Sequence, residues 1–376
     1  MSNLVSNQNT SSVNYQFKIL YALGMIFVTV GHSSYSSLPF FENWFVFNSF
    51  HLGLFVFCSG YFYKESSENN ILGYFLKKLK TLILPLYLWN LFYALVTYFF
   101  SNYGITIGGE VTLNKLIIDP IKHGHQFIFN LGGWFVIPLF IIELFNILIC
   151  KLLPVSGIKK FVILFILYIV VGIIGNNLAI NGYNQEWWLV ITRVLYLLPF
   201  YGFGMLYKVW LEGKDRLSNK TYFLLLIGCQ LAILNYLKGF PIIIPAWAIF
   251  NNGPFIPIIC GFVAISFWVR IARIFTPICG KDKWVLSIAN NTYTIMINQF
   301  LGFMLVKSFF AIMNVSLGFF PDFDFIKFKT DIWYYYFPNN LIQFGIIYII
   351  AGIVVPIYMQ KCVTFSKSKV LSLFNK

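Results

Sequence analysis

The chain has 376 residues, of which 59% are hydrophobic, 20% aromatic and only 11% charged. No single soluble core hides that much apolar surface, so the composition excludes an ordinary soluble enzyme and points to a bilayer. The net charge of +14 would suggest nucleic-acid binding in a soluble protein, but here the cations read as topology signals and no nucleic-acid partner is expected.

In chain order, apolar runs near the roughly 20 residues needed to cross ~30 Å of hydrocarbon predict ten spans. They fall at about residues 17–38, 44–63, 81–101, 131–150, 160–177, 188–208, 221–238, 252–270, 285–310 and 339–361. The first follows a long polar tail with a single lysine, which marks a retained helix and not a cleaved signal. Between the seventh and eighth, Lys238, Gly239, Pro241, Pro245, Pro254 and Pro257 crowd the turn and leave room for a re-entrant segment. The expected fold is an all-α integral membrane protein of about ten transmembrane helices in a single bundle. One polytopic domain covers residues 1–376, with a polar tail at 1–16 and a basic tail at 362–376.

The Lys and Arg residues test this map, because cytoplasmic loops hold most of them. One alternate set of segments, from Lys18 and the Lys64–Lys80 stretch to Lys361 and the C-terminal lysines, holds 20; the opposite set holds 6, and Arg193 falls inside a span. Both termini are expected in the cytoplasm. The six cysteines show no C-x-x-C spacing, His123-Gly124-His125 is at most half a metal site, and no metal is expected.

Ionisable groups at membrane depth cost roughly 2.5–3.5 kcal/mol on insertion scales, so each is a functional candidate. His32 lies in the outer part of the first span, about 22 Å along the axis from Phe17 at ~1.5 Å per residue. It serves either as a helix cap or as a base. His51 opens the second span, which runs back, and a short loop carrying Glu42 joins the two. Two imidazoles and a carboxylate thus converge on one outward-facing pocket, unless Glu42 is only a solvated loop charge. Glu143 lies some ten residues into the fourth span and needs a partner. Arg193 in the sixth span is the candidate, either as a structural pair or as a group orienting the His32 pocket. Asn298 and Gln299 in the ninth span bond between helices or line a substrate path.

Several runs together resemble the membrane-bound acyltransferase 3 family, the surface-polysaccharide O-acyltransferases of the fucose 4-O-acetylase type. They are Val30-Gly31-His32-Ser33, Phe50-His51 to Ser59-Gly60-Tyr61, the basic stretch before Leu84-Pro85, Trp134 to Leu139, Leu198 to Gly204 and Ser287 to Ile295. The resemblance spans about residues 15–360. It implies transfer of an acyl group, commonly acetyl from cytoplasmic acetyl-CoA, to a sugar hydroxyl of a lipid-linked or exported glycan such as O-antigen, capsule or exopolysaccharide. A bacterial inner membrane is the implied location, with membrane lipid as surroundings. Two departures stand out. An Arg that the family often places eleven residues before the helix-one His is Tyr21 here, and a His expected near the end of the Ser287 run is replaced within Met296-Ile297-Asn298-Gln299.

An imidazole that removes the proton of an attacking hydroxyl contributes ~10²–10⁴-fold. His32 fits that role, or it accepts the acyl group itself in a covalent relay. The phosphates of CoA call for cations, and Lys77, Lys78 and Lys80 form a compact cluster, although the positive-inside rule alone also places lysines there. Arg193, Trp134 and Asn298 are the acceptor-side candidates. The alternative classes are a polysaccharide or lipid-linked glycan transporter or flippase, which would show two related halves, and a glycan polymerase, which would carry Arg-rich outer loops. Neither feature is present in the sequence.

Overall fold

The computed structural model describes residues 13–33, 47–124 and 126–374. Among these, eight helices are long and apolar enough to cross a membrane. We label them with two shorter ones in chain order. The shorter pair is α1 (Tyr15–His32) and α2 (Phe47–Tyr61). The eight are α3 (Ile71–Asn102), α4 (Ile128–Leu152), α5 (Gly157–Ile180), α6 (Glu186–Lys214), α7 (Asn219–Leu237), α8 (Ile256–Cys279), α9 (Thr292–Leu317) and α10, which spans Gly345–Phe374. Each expected span therefore overlaps a described helix; α1 has 18 residues, and α2 begins where the described residues resume. Both sit inside the bundle: α1 packs against α2, α8, α9 and α10, and α2 against α1, α6 and α8. A helix surrounded by helices need not be apolar all round.

The opposite case is α7, where only 6% of the apolar window is buried, against 89% in α6. Leu224, Leu225 and Leu231 of α7 stand exposed, as lipid contact requires. Three further features depart from the expected spans. The span expected at 285–310 is broken at Asn291, giving a short helix Lys283–Asn290 before α9. Helix α10 continues past the expected end of the tenth span, through the basic segment, to Phe374. The proline-rich turn between α7 and α8 holds a β-hairpin, β1 (Ile243–Ile244) against β2 (Ile249–Phe250), with Ile243 opposite Phe250.

Lysine-rich segments gather at one end of the bundle. Lys18 at the start of α1 donates to Asn290 Oδ1 at 2.6 Å, Tyr61 at the end of α2 donates to Glu212 at 2.9 Å, and Lys160 at the start of α5 holds Glu68 at 2.8 Å. The hairpin and the segment between α9 and α10 lie at the other end.

Helices α2 and α6 cross at reciprocal glycines. A Cβ at Gly60 would collide with the Tyr201 carbonyl, and one at Gly204 with the Phe57 carbonyl, so small residues let the two backbones approach closely. Gly204→Ala is expected to lower stability by about 1–3 kcal/mol, as overpacking typically does. Gly228→Ala on α7, where no atom lies within 4 Å of the added methyl, should leave it unchanged or higher. Thermal unfolding of the purified protein in detergent checks both, and equal midpoints for the two variants would contradict this packing.

Candidate active site

His32 and His51 are brought together. α1 and α2 run antiparallel, so the last turn of one and the first turn of the other meet at the end opposite the lysines, and both imidazoles line one cavity of about 190 Å³. The other walls come from Trp134 and Phe135 at the start of α4, Ala246 and Trp247 of the hairpin, and Met296 of α9. Glu42 lies outside the described residues. The His32 ring sits 5.2 Å from Phe300 and 6.2 Å from Trp333 between ring centroids, and Tyr335 donates to the His32 main-chain oxygen. Aromatic groups on two elements thus confine the imidazole while one face stays on the cavity.

Arg193 holds this end together. It is 1% exposed and donates to the carbonyl oxygens of His123, at 2.6 Å, and of Ala246. Its guanidinium lies 4.4 Å from the Trp134 ring centroid. The expected pairing with Glu143 does not occur, because the two residues sit at different depths. Arg193 lies two turns from the start of α6, whereas Glu143 lies in the half of α4 nearer the lysine-rich end. Glu143 instead accepts from Lys78 at 2.6 Å, and its side chain is 5% exposed.

That ion pair borders a second cavity of about 430 Å³ at the lysine-rich end, lined by Lys64, Lys77, Lys78, Glu143 and the polar groups of Ser67, Asn70 and Tyr74. Lys80 does not line it. The helix passes through a π turn at Leu79–Ile83 just before Pro85, and Lys80 lies inside that turn. Lys64, from the segment before α3, takes its place. Glu143 therefore belongs to the lysine cavity and not to the histidine pocket.

A third cavity, about 190 Å³ and mostly apolar, lies between the two. It shares Tyr21 and Ser59 with the lysine cavity, and Phe135 and Met296 with the histidine cavity. The three follow one another along α1, from Tyr21 to His32, about 16 Å at 1.5 Å per residue. Asn298 is fully buried, accepts from Tyr93 at 2.7 Å and donates to Thr294 O at 2.9 Å, so it ties helices together and lines none of these cavities.

Residues 14–361 match the Acyl_transf_3 family model, described as an acyltransferase domain. This chain is a membrane acyltransferase of the Acyl_transf_3 family. No curated protein and no solved structure matches it. Within this acyltransferase, Tyr21 stands at the junction of the lysine and apolar cavities, and Lys18, bonded to Asn290, does not reach either. The site elements missed from the sequence are Lys64 and the hairpin residues Ala246 and Trp247; the crowding of prolines before Trp247 was the available signal. On the far side of Trp247 lies a further surface cavity of about 530 Å³, lined also by His123, Asn184, Gln185 and Glu186. Burial holds the His123 imidazole below its usual range although Asp119 lies 3.5 Å away.

Removing one partner of a buried ion pair strands the other charge, at a cost of about 3–5 kcal/mol. Lys78→Met should therefore lower the unfolding midpoint sharply, and the double variant Lys78→Met/Glu143→Leu should recover most of the loss. A double-mutant cycle by denaturation in detergent reads the coupling, and additive losses would show that the pair is not a unit.

Proposed function

We propose that this acyltransferase carries an acetyl group from acetyl-CoA, held at the lysine-rich cytoplasmic face, to a sugar hydroxyl on the outer side of a bacterial inner membrane. The acceptor is a surface polysaccharide or its lipid-linked precursor, of the O-antigen, capsule or exopolysaccharide kind. The observation that carries this reading is the file of three cavities with shared walls, cationic at one end and bearing two imidazoles at the other.

Each part of the donor has a chemical match along that file. Phosphates suit Lys64, Lys77 and Lys78, which act as point charges. The slender pantetheine arm suits the apolar stretch past Tyr21 and Ser59, which ends in the cavity of His32. There the hydroxyl oxygen attacks the thioester carbonyl, a C–O bond forms, the C–S bond breaks and the CoA thiolate leaves. His32 takes the hydroxyl proton and returns it to the thiolate, so the products are an O-acetyl ester and CoA thiol. In the relay form of the same reaction, the imidazole nitrogen attacks the thioester carbonyl and the CoA thiolate leaves; the hydroxyl then attacks the acyl-imidazole, its N–C bond breaks, and the hydroxyl proton ends on the thiolate. His51, on the same cavity, is the second group able to hold a proton during the transfer.

The acceptor side is supported by Trp247, which is 48% exposed and forms a wall of both the histidine cavity and the surface cavity. An indole face beside the amides of Asn184 and Gln185 offers a saccharide both stacking and hydrogen bonds. Arg193 and Trp134 serve this side by shaping the walls.

The test is the mass of the host's surface-polysaccharide repeat, with mild alkaline release, in cells carrying the gene intact, deleted or with His32→Ala. The expected outcome is loss of one acetyl increment in both altered strains while polymer is still made and exported. Retention of the ester in the His32→Ala strain would remove His32 from the reaction. Loss or intracellular retention of the polymer would favour a transporter or polymerase.

A further inference from the structure

Gln299 is fully buried on α9, one residue beyond the interhelical Asn298, and its side chain lies against the His32 ring. Its Nε2 donates to the Met296 carbonyl at 3.1 Å. A carbonyl oxygen only accepts, so the amide nitrogen must face Met296 and the amide oxygen must face the other way. That oxygen, Gln299 Oε1, is buried with no hydrogen-bond partner among the described residues, and so is Nδ1 of His32. Two buried polar atoms in need of partners thus belong to side chains that lie beside one another, next to Phe300, whose ring centroid is 5.2 Å from that of His32.

We propose that Gln299 is a positioning residue, whose amide oxygen holds the Nδ1–H form of His32 and leaves the Nε2 lone pair on the cavity. The donor–acceptor logic allows one solution: an amide oxygen only accepts, so the proton must sit on Nδ1. The cavity-facing nitrogen is then the one able to take a hydroxyl proton or an acyl group. A glutamine orients the ring without adding charge, so the imidazole rests neutral, unlike a histidine backed by a carboxylate. The inference rests on the reading of His32 as the reacting group.

Among the described residues, the groups facing His32 from each packed element are few. α2 contributes His51, the segment before α10 contributes Tyr335 through the His32 main-chain oxygen, and Lys307 of α9 lies 5.5 Å from the Tyr335 ring centroid. α4 and the hairpin contribute Trp134, Phe135, Ala246 and Trp247, none of which titrates.

The first readout is independent of activity. The chain has four histidines, so ¹⁵N-histidine-labelled protein in detergent, compared with His32→Asn, assigns the His32 signals. The expected spectrum shows neutral His32 protonated at Nδ1, and Gln299→Leu shifts it toward the Nε2–H form. An Nε2–H form in the unaltered protein, or a tautomer that Gln299→Leu leaves alone, would overturn the proposal. The second readout is acetyl transfer in membranes that contain the acceptor. Gln299→Leu should lower kcat by about 10²-fold with KM little changed, the size of a typical general-base contribution.

Gln299→Glu should move the acidic limb of the pH–rate profile upward by about one pH unit or more, because a carboxylate favours the charged imidazole. The shift should persist in a His51→Asn background, and an unmoved limb would overturn the proposal. If the unaltered protein transfers no acetyl group, the functional reading fails separately, and the tautomer spectra alone decide where Gln299 acts.

Discussion

The guanidinium of Arg193 is buried in the bundle, held by main-chain carbonyls and an indole face. A buried charge is tolerated when its donors are met, and carbonyl dipoles of His123 and Ala246 meet them here. The same bonds fasten three segments far apart in sequence: the turn before α4, the hairpin between α7 and α8, and α6 itself. Trp134, stacked under the cation, completes the set. Because Trp134, Ala246 and Trp247 are walls of the histidine cavity, the shape of that cavity depends on one arginine that does not line it. Its bonds make it a keystone of the histidine end of the bundle.

The lysine end solves the charge problem differently. Lys78 and Glu143 pair at 2.6 Å, leaving Lys64 and Lys77 to face the cavity. One oxygen of Glu143 is buried without a partner, which makes the pair costly as a purely structural device. Between the two ends the walls are Met25, Phe55, Leu139 and Tyr293, which give a phosphate or a water molecule little to bond. A polar–apolar–polar sequence of this kind suits the proposed donor, with its charged head and slender arm.

Much of this was legible in the sequence because it depends on quantities that add along one chain. Span positions follow from hydrophobic length, and the convergence of His32 and His51 follows from two antiparallel helices joined by a short loop. What the sequence left open depends on rotation and on long-range packing. Asn298 and Gln299 differ by one residue, which is about 100° around a helix: Asn298 turns toward Tyr93, Gln299 toward His32. Lys80 drops out because of a π turn, a local change in register that composition does not announce. The Arg193–Glu143 pairing fails on depth, since one lies near the histidine end of α6 and the other in the half of α4 toward the lysine-rich end. The hairpin between α7 and α8 folds against α2 and α5, partners far away in sequence.

The central claim is that the donor reaches His32 from the lysine-rich face through the cavity file, and vesicle sidedness tests it most directly. Host membrane vesicles of both orientations, which retain the acceptor, would be given membrane-impermeant radiolabelled acetyl-CoA, with the unaltered protein or with Ser59→Trp, which fills the junction of the lysine and apolar cavities. The account predicts label in glycan only when the lysine-rich face meets the donor, and loss of that label in Ser59→Trp. Equal labelling from both faces, or full labelling with the junction filled, would contradict it.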